Sequence, residues 1–226
     1  GTIGTDGSYS FTGSQDLTIA GYTLTEASVT LSNTEGLRVQ GLVNVLGSVV
    51  EVSGSVTPSG QFSLTGEADI NLLFYPIANA TITLNNSKLK VAGILQMLGA
   101  SVAVDVTVNS SGTFTAMGMT DLTVSGYTIA NAFFTLTNSK LTLNRMMQAG
   151  PFIQANVAGS ITPFGGTNIS GSMDIAQFGD YQLADVDFSL NDSGLSASAT
   201  LDVGLIDASV SGSIGSDGSF NLMAVT

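Results

Sequence analysis

The chain has 226 residues, of which 43% are hydrophobic and only 10% are charged, and its formal net charge is −12. A composition this apolar and this poor in charge excludes an intrinsically disordered chain, because it carries enough apolar surface to bury a core. The chain has no Cys and no His, which excludes disulfides, the common zinc and copper ligands, and catalytic pairs that use His or Cys.

The charge balance also restricts the partners of the protein. Five Lys and Arg residues stand against seventeen Asp and Glu residues, and they cannot form the basic patch that a phosphate backbone requires. We expect no nucleic acid partner. The longest apolar runs are too short for a transmembrane helix, so we expect a membrane partner only under the β-barrel alternative given below.

The sequence repeats itself about every 53 residues. Turn glycines, a tyrosine and an aspartate recur in step along the chain. These markers are Gly7, Gly60, Gly112, Gly165 and Gly218; Tyr22, Tyr75, Tyr127 and Tyr181; and Asp16, Asp69, Asp121 and Asp174. The spacing predicts the end of a preceding repeat over 1–6, repeats over 7–59, 60–111, 112–164 and 165–217, and the start of a further repeat over 218–226.

Each repeat reads as four strands in chain order. In the first repeat, residues 11–20 alternate between two faces, and residues 27–31 alternate again before a turn at 33–36 that is rich in Asn and Gly. A third strand begins at Leu37 and a fourth contains residues 50–52, before Pro58 and Gly60 form the next turn. The turns between the third and fourth strands are predicted near Gly47, Gly99, Gly150 and Gly204.

These patterns predict an all-β fold. Every connection is short enough for a hairpin and too short for a parallel crossover, so the sheet is expected to be antiparallel throughout. Tandem repeats of about 53 residues, each with four antiparallel strands, are expected to form an elongated β-solenoid, a superhelical sheet or a two-layer sheet. Alternation identifies the buried face and leaves the choice among these forms open.

The first eight residues, 1–8, restate residues 212–219 with an offset of 211 positions, which equals four repeats. Neither segment has the polar character of a capping repeat. The match predicts either a window cut from a longer array or a unit that joins its neighbours end to end.

Two repeated side chains are candidates for special roles. If repeats stack in register, the row Asp16, Asp69, Asp121 and Asp174 would offer oxygen ligands to calcium, and the alternative is a set of acids facing solvent. The repeated tyrosines are expected to pack, with each hydroxyl reaching a backbone partner or solvent. No catalytic residue is expected, and no cofactor other than the possible calcium.

The sequence therefore predicts a structural protein, extracellular or at the cell surface, without enzyme activity. It is expected to form a fibre, stalk or sheath through repeat stacking, self-association and end-to-end assembly. The alternatives are an outer-membrane β-barrel, which shares the pattern of alternating strands and hairpins, and an adhesin or ligand-binding stalk segment.

Overall fold

A computed structural model describes residues 1–149, 153–164, 166–178, 181–203 and 206–225. Every regular element in these residues is a β-strand. The strands are β1 (Thr2–Ile3), β2 (Tyr9–Ser14), β3 (Leu17–Ile19), β4 (Tyr22–Ser32), β5 (Gly36–Val45), β6 (Ser48–Val56), β7 (Phe62–Leu72), β8 (Tyr75–Asn85), β9 (Leu89–Met97), β10 (Ala100–Val108), β11 (Thr115–Val124), β12 (Tyr127–Thr137), β13 (Leu141–Ala149), β14 (Ile153–Ile161), β15 (Thr167–Phe178), β16 (Tyr181–Asn191), β17 (Gly194–Val203), β18 (Ile206–Ile214) and β19 (Phe220–Val225).

The strands form two antiparallel sheets. The first sheet follows the order β1, β2, β4, β5, β6, β7, β8, β9 and β10, with β3 paired to β4, and the second runs from β11 to β19 in chain order. Neither order returns to its first strand, so backbone pairing closes neither sheet in the described residues. The expected all-β, antiparallel fold is confirmed. No described helix is long and apolar enough to span a membrane.

Alternation along the strands separates core from surface. In β8, Tyr75 and Ile77 are buried, and Ile82 and Leu84 are buried further along the same strand. Among the residues whose side chains the structure describes, every buried residue is apolar or aromatic and none is charged. Burial of this one face is the main force holding each sheet together.

Two-residue turns close several hairpins. Leu46 and Gly47 both have positive φ, as do Leu98 and Gly99. This backbone conformation is that of a type I′ turn, whose twist matches the twist of the two strands it joins. The predicted turns at Gly150 and Gly204 lie outside the described residues, as does Gly165.

The first predicted strand is interrupted in the structure. Residues 11–20 were expected to form one strand, and the chain instead forms β2 and β3, with a break at Gln15 and Asp16. Its counterpart β7 is continuous and pairs on both sides, with β6 and β8. By contrast, β1 pairs with β2 only at Thr2 and Ile3, so β2 has little support on that side.

The break between the two sheets follows a strand in which a repeated glycine is replaced. Gly54, Gly159 and Gly212 occupy matching positions in β6, β14 and β18, and a Cβ atom at any of them would overlap a carbonyl oxygen of the next strand. The matching position in β10 is Val106. β10 and β11 belong to different sheets, and a single isolated bridge joins Val108 to Phe114.

The chain divides into two compact units. One contains Gly1–Leu95 and Ala103–Ala116, and the other contains Gln96–Val102 and Met117–Thr226. Each unit has its own buried face, which begins with Leu24 and Ala27 in the first unit and with Leu122 and Val124 in the second.

Candidate functional site

Three of the four repeated aspartates make the same contact. A carboxylate oxygen of each accepts a hydrogen bond from the backbone N–H of the residue ten positions later. The donor and acceptor pairs are Glu26 and Asp16 (3.1 Å), Asn79 and Asp69 (2.9 Å), and Asn131 and Asp121 (2.6 Å). The recurrence of these aspartates therefore reflects a hydrogen bond that each of the three makes within its own copy.

The donor in each pair is the extra residue of a β-bulge. The strand pairing skips at these points, and Glu26, Asn79 and Asn131 have φ values of 52°, 49° and 49°. A bulge leaves one residue outside the ladder, and its N–H then needs another acceptor. The carboxylate on the neighbouring strand provides that acceptor with a charge-assisted hydrogen bond.

The fourth aspartate lies at the corresponding place. Asp185 has a φ of 49°, and the pairing of β16 with β17 skips between Ala184 and Asp187. On β15, Asp174 lies between Met173, which pairs with Val186, and a residue that pairs with Ala184. Asp174 is therefore opposite the bulge, as in the other copies.

The four aspartates do not form a shared site in the described part of the chain. No group of three or more acidic side chains there is close enough to hold a metal ion. Asp16, Asp69 and Asp121 are each exposed, and each serves the bulge of its own copy. Calcium binding stays a prediction that these contacts do not test.

Two of the repeated tyrosines connect strands that are distant in the sheet order. Tyr22, at the start of β4, donates its hydroxyl to the carbonyl of Val108 at the end of β10. Tyr127, at the start of β12, donates to the carbonyl of Ile214 at the end of β18, at 2.5 Å. In both units the acceptor strand is six places further along the sheet. The predicted backbone partner is present in both cases.

The tyrosine of the second copy differs. Tyr75 is buried, and its hydroxyl has no hydrogen-bond partner within the described residues. Burial raises the pKa of Tyr75 to about 12 because it disfavours the charged phenolate. The side chain of Tyr181 lies outside the described residues.

The main surface feature is a set of apolar side chains on the inner face of the first copy. Ile3, Phe11 and Leu31 are 74%, 47% and 43% exposed. Phe11 pairs directly with Leu31 across β2 and β4, and Tyr9 packs beside Phe11 with ring centroids 6.0 Å apart. We refer to Ile3, Tyr9, Phe11 and Leu31 as the uncovered face.

The positions of Phe11 and Leu31 are covered in the second copy. Leu64 and Leu84, the counterparts of Phe11 and Leu31, form the corresponding pair across β7 and β8 and are both 0% exposed. Ile214, the counterpart of Ile3, is 2% exposed. Exposure falls along the sheet from Leu31 to Leu37, which is half-buried. The uncovered face therefore occupies positions of the core, and none of the described residues covers it fully.

Sequence reasoning did not identify this face. Alternation correctly placed Phe11 on the apolar side of its strand, but period-two alternation has no information about which elements cover that side. The bulges were missed as well. The spacing between each aspartate and its bulge residue could have indicated them, because it is ten residues in three copies and eleven in the fourth.

Comparisons of this chain with protein-family models, with curated proteins and with solved structures found no match.

Proposed function

We propose that this chain is a structural protein of the extracellular space or the cell surface, whose tandem β repeats and end-to-end association build a fibre, stalk or sheath. The observation that carries this proposal is the uncovered face. Phe11 and Leu31 are exposed, whereas their counterparts in the second copy, Leu64 and Leu84, are buried. Exposed apolar patches of this kind mark interaction surfaces, since exposing them to water is unfavourable.

The proposed arrangement of repeats is a winding one, either superhelical or in two layers, in which each strand packs near the strand six places further on. The hydrogen bonds of Tyr22 and Tyr127 support it. Strands six places apart in a flat sheet would lie about 29 Å from each other, far beyond the reach of a tyrosine.

The proposed location rests on surface chemistry. The chain has few charges and no Cys, and its exposed strand faces carry many Ser and Thr side chains, such as Thr12 and Thr30, whose hydroxyls lie 3.3 Å apart. Such a surface suits a packed extracellular material that does not depend on disulfides. Antibody labelling of intact cells from the source would test this part, and labelling seen only after permeabilisation would contradict it.

The proposed assembly is tested by sedimentation velocity and electron microscopy of the protein in detergent-free buffer, over a range of concentrations. We expect species larger than one chain that grow with concentration, and filaments with a regular axial spacing. A chain that remains a stable monomer at every concentration would overturn the proposal.

The same samples test the calcium prediction. If the aspartate row binds calcium between stacked copies, a chelator should shorten or dissolve the filaments, and added calcium should restore them. If filaments are unchanged in chelator, Asp16, Asp69, Asp121 and Asp174 serve their bulges alone, and the assembly proposal is unaffected.

A further inference from the structure

We infer that Met117 and Met119, on the outer face of β11, are a site of reversible oxidation by peroxides, and that the fold tolerates the oxidised side chains. Each chain carries this site by itself, so the site does not depend on the proposed assembly. Three observations support it: the exposure of the two thioethers, the amino-acid composition, and the residues at the matching positions of the other copies.

Alternation along β11 directs the two methionines away from the core. Met117 and Met119 are 61% and 59% exposed, whereas Ala116 beside them is buried. Their thioethers are therefore accessible to small solutes. By contrast, Met97 in β9 and Met147 in β13 are 3% and 0% exposed. A buried thioether reacts only when the strand around it opens, so the structure divides the methionines into fast and slow sites.

The composition makes methionine the main target of an oxidant in this chain. The sequence contains seven Met and has no Cys, no His and no Trp. The thiol, imidazole and indole groups that would compete for a peroxide are therefore absent from the sequence. Because susceptibility follows exposure, oxidation begins at the methionines that face solvent.

The other copies carry polar side chains at the positions of the two methionines. A sulfoxide is polar as well, so the third copy gains by oxidation the surface chemistry that the other copies have by sequence. The strand therefore forms without an apolar side chain at these positions. The counterparts, all exposed, are Thr12, Thr65 and Ser170 for Met117, and Ser14, Glu67 and Ser172 for Met119.

The reaction needs only a peroxide, and its reversal needs two thiols. The sulfur attacks one peroxide oxygen, a sulfur–oxygen bond forms, the oxygen–oxygen bond breaks, and the second oxygen leaves as water when the peroxide is hydrogen peroxide. The sulfur is oxidised by two electrons and the peroxide is reduced by two. In reversal, a methionine sulfoxide reductase takes two electrons from thiols, which form a disulfide, and the oxygen leaves as water.

The first test measures the rate at each methionine. Dilute wild-type protein is treated with hydrogen peroxide, and peptide mass spectrometry follows sulfoxide formation with time. We expect Met117 and Met119 to react at least about ten times faster than Met97 and Met147. Met223, which is 67% exposed, is the internal reference for an accessible thioether. Equal rates at the exposed and the buried methionines would overturn the inference.

The second test asks whether the oxidised fold is intact. A variant that carries Met117→Leu and Met119→Leu is oxidised in parallel with the wild type, and urea titration gives the unfolding midpoint of each. The other methionines react in both samples, so the difference between the midpoints reports on Met117 and Met119 alone. We expect the same midpoint. A lower midpoint in the oxidised wild type than in the oxidised variant would show that the fold does not tolerate the sulfoxides.

The third test replaces oxidation by substitution. Met117→Gln combined with Met119→Gln introduces polar side chains of similar length without a peroxide, and Met147→Gln is the matched change at a buried methionine. We expect the double variant to keep the wild-type urea midpoint and Met147→Gln to lower it, because burying an amide is unfavourable. If the double variant loses as much stability as Met147→Gln, the inference is overturned.

A final measurement tests reversibility. The oxidised wild type is incubated with methionine sulfoxide reductases specific for each of the two sulfoxide epimers and with dithiothreitol, and free methionine sulfoxide is the control substrate. We expect the sulfoxides at Met117 and Met119 to return to thioethers. Sulfoxides that persist at both positions while the free amino acid is reduced would overturn reversibility.

Discussion

The first and second sequence copies share the contact between an aspartate and a bulge but differ in how well their apolar faces are covered. In both, an aspartate accepts the N–H of a bulge residue, through Asp16 in one and Asp69 in the other. Yet Leu31 is 43% exposed, whereas its counterpart Leu84 is completely buried. The difference indicates that bulges and hairpins form from contacts within one copy, whereas burial of the apolar face requires contacts with another copy.

The largest expected effect is a difference in stability between variants of the buried Leu84 and of its exposed counterpart Leu31. We expect Leu84→Ala to lower the free energy of unfolding by about 3 kcal/mol, because it removes buried methyl groups and leaves a cavity. In dilute protein, Leu31→Ala should lower it by about 1 kcal/mol or less. Urea titration of both variants measures the difference, and equal losses would show that the first copy is covered in solution.

The second prediction concerns the glycine that permits close approach of paired strands. Gly159→Val should lower the free energy of unfolding by about 2 kcal/mol, because a side chain there overlaps the Asn168 carbonyl and forces β14 away from β15. Hydrogen exchange should show loss of amide protection in both strands. The matched control is Ala158→Val, an exposed neighbour on β14, and comparable losses in both variants would contradict the explanation.

The third prediction tests whether the bulge is equally local in both copies. Asp16→Ala and Asp69→Ala should each lower the free energy of unfolding by about 1 kcal/mol, since each leaves a bulge N–H without its charged acceptor. Chemical denaturation of the two variants checks this. If Asp69→Ala greatly lowers the free energy of unfolding and Asp16→Ala does not change it, the contribution of the bulge depends on burial of the apolar face of its copy. Asp105→Ala, on a carboxylate that pairs with Lys90, is the control for a lost surface charge.

The smallest expected effects compare two tyrosines. Tyr127→Phe removes the hydrogen bond to the Ile214 carbonyl and should cost about 1 kcal/mol, whereas Tyr75→Phe removes a hydroxyl without a partner and should cost nothing or stabilise. Thermal unfolding of both variants measures the difference. Similar destabilisation by the two changes would mean that the Tyr75 hydroxyl is bonded in solution.

Tyr75 also predicts a pH dependence. Its pKa is about 12 in the folded protein and lies near the ordinary value of 10 in the unfolded chain, so the folded state binds more protons between these values. Stability should therefore fall as the pH rises from about 10 to about 12. Tyr75→Phe should remove this part of the fall, and an unchanged alkaline profile would contradict the assignment.

Much of the local structure follows from the sequence. Residues 33–36 and Gly47 correctly indicate hairpins, and the alternation along β8 correctly indicates its buried face. The break between β2 and β3 could not be predicted from alternation, because the alternating pattern continues through Gln15 and Asp16. The alternation of side chains along one strand predicts that strand and its adjoining turn. It contains no information about how the neighbouring strand pairs with it.

The two repeated side chains show where this limit falls. The spacing of Asp16 and Asp69 is visible in the sequence, but their role as bulge acceptors appears only once the strands are paired. The acceptors of Tyr22 and Tyr127 lie 86 and 87 residues away, a distance over which no periodicity identifies a partner.

By itself, the sequence determined the antiparallel strands, the turns and the apolar side of each strand, because these depend on backbone conformation and on side-chain alternation between near neighbours. Only the tertiary structure decided that the strands divide into two sheets, that Asp16, Asp69 and Asp121 serve bulges, and that Leu84 is covered while Leu31 is exposed. These properties depend on close contact between strands, and corresponding positions of similar sequence differ in burial when their surroundings differ.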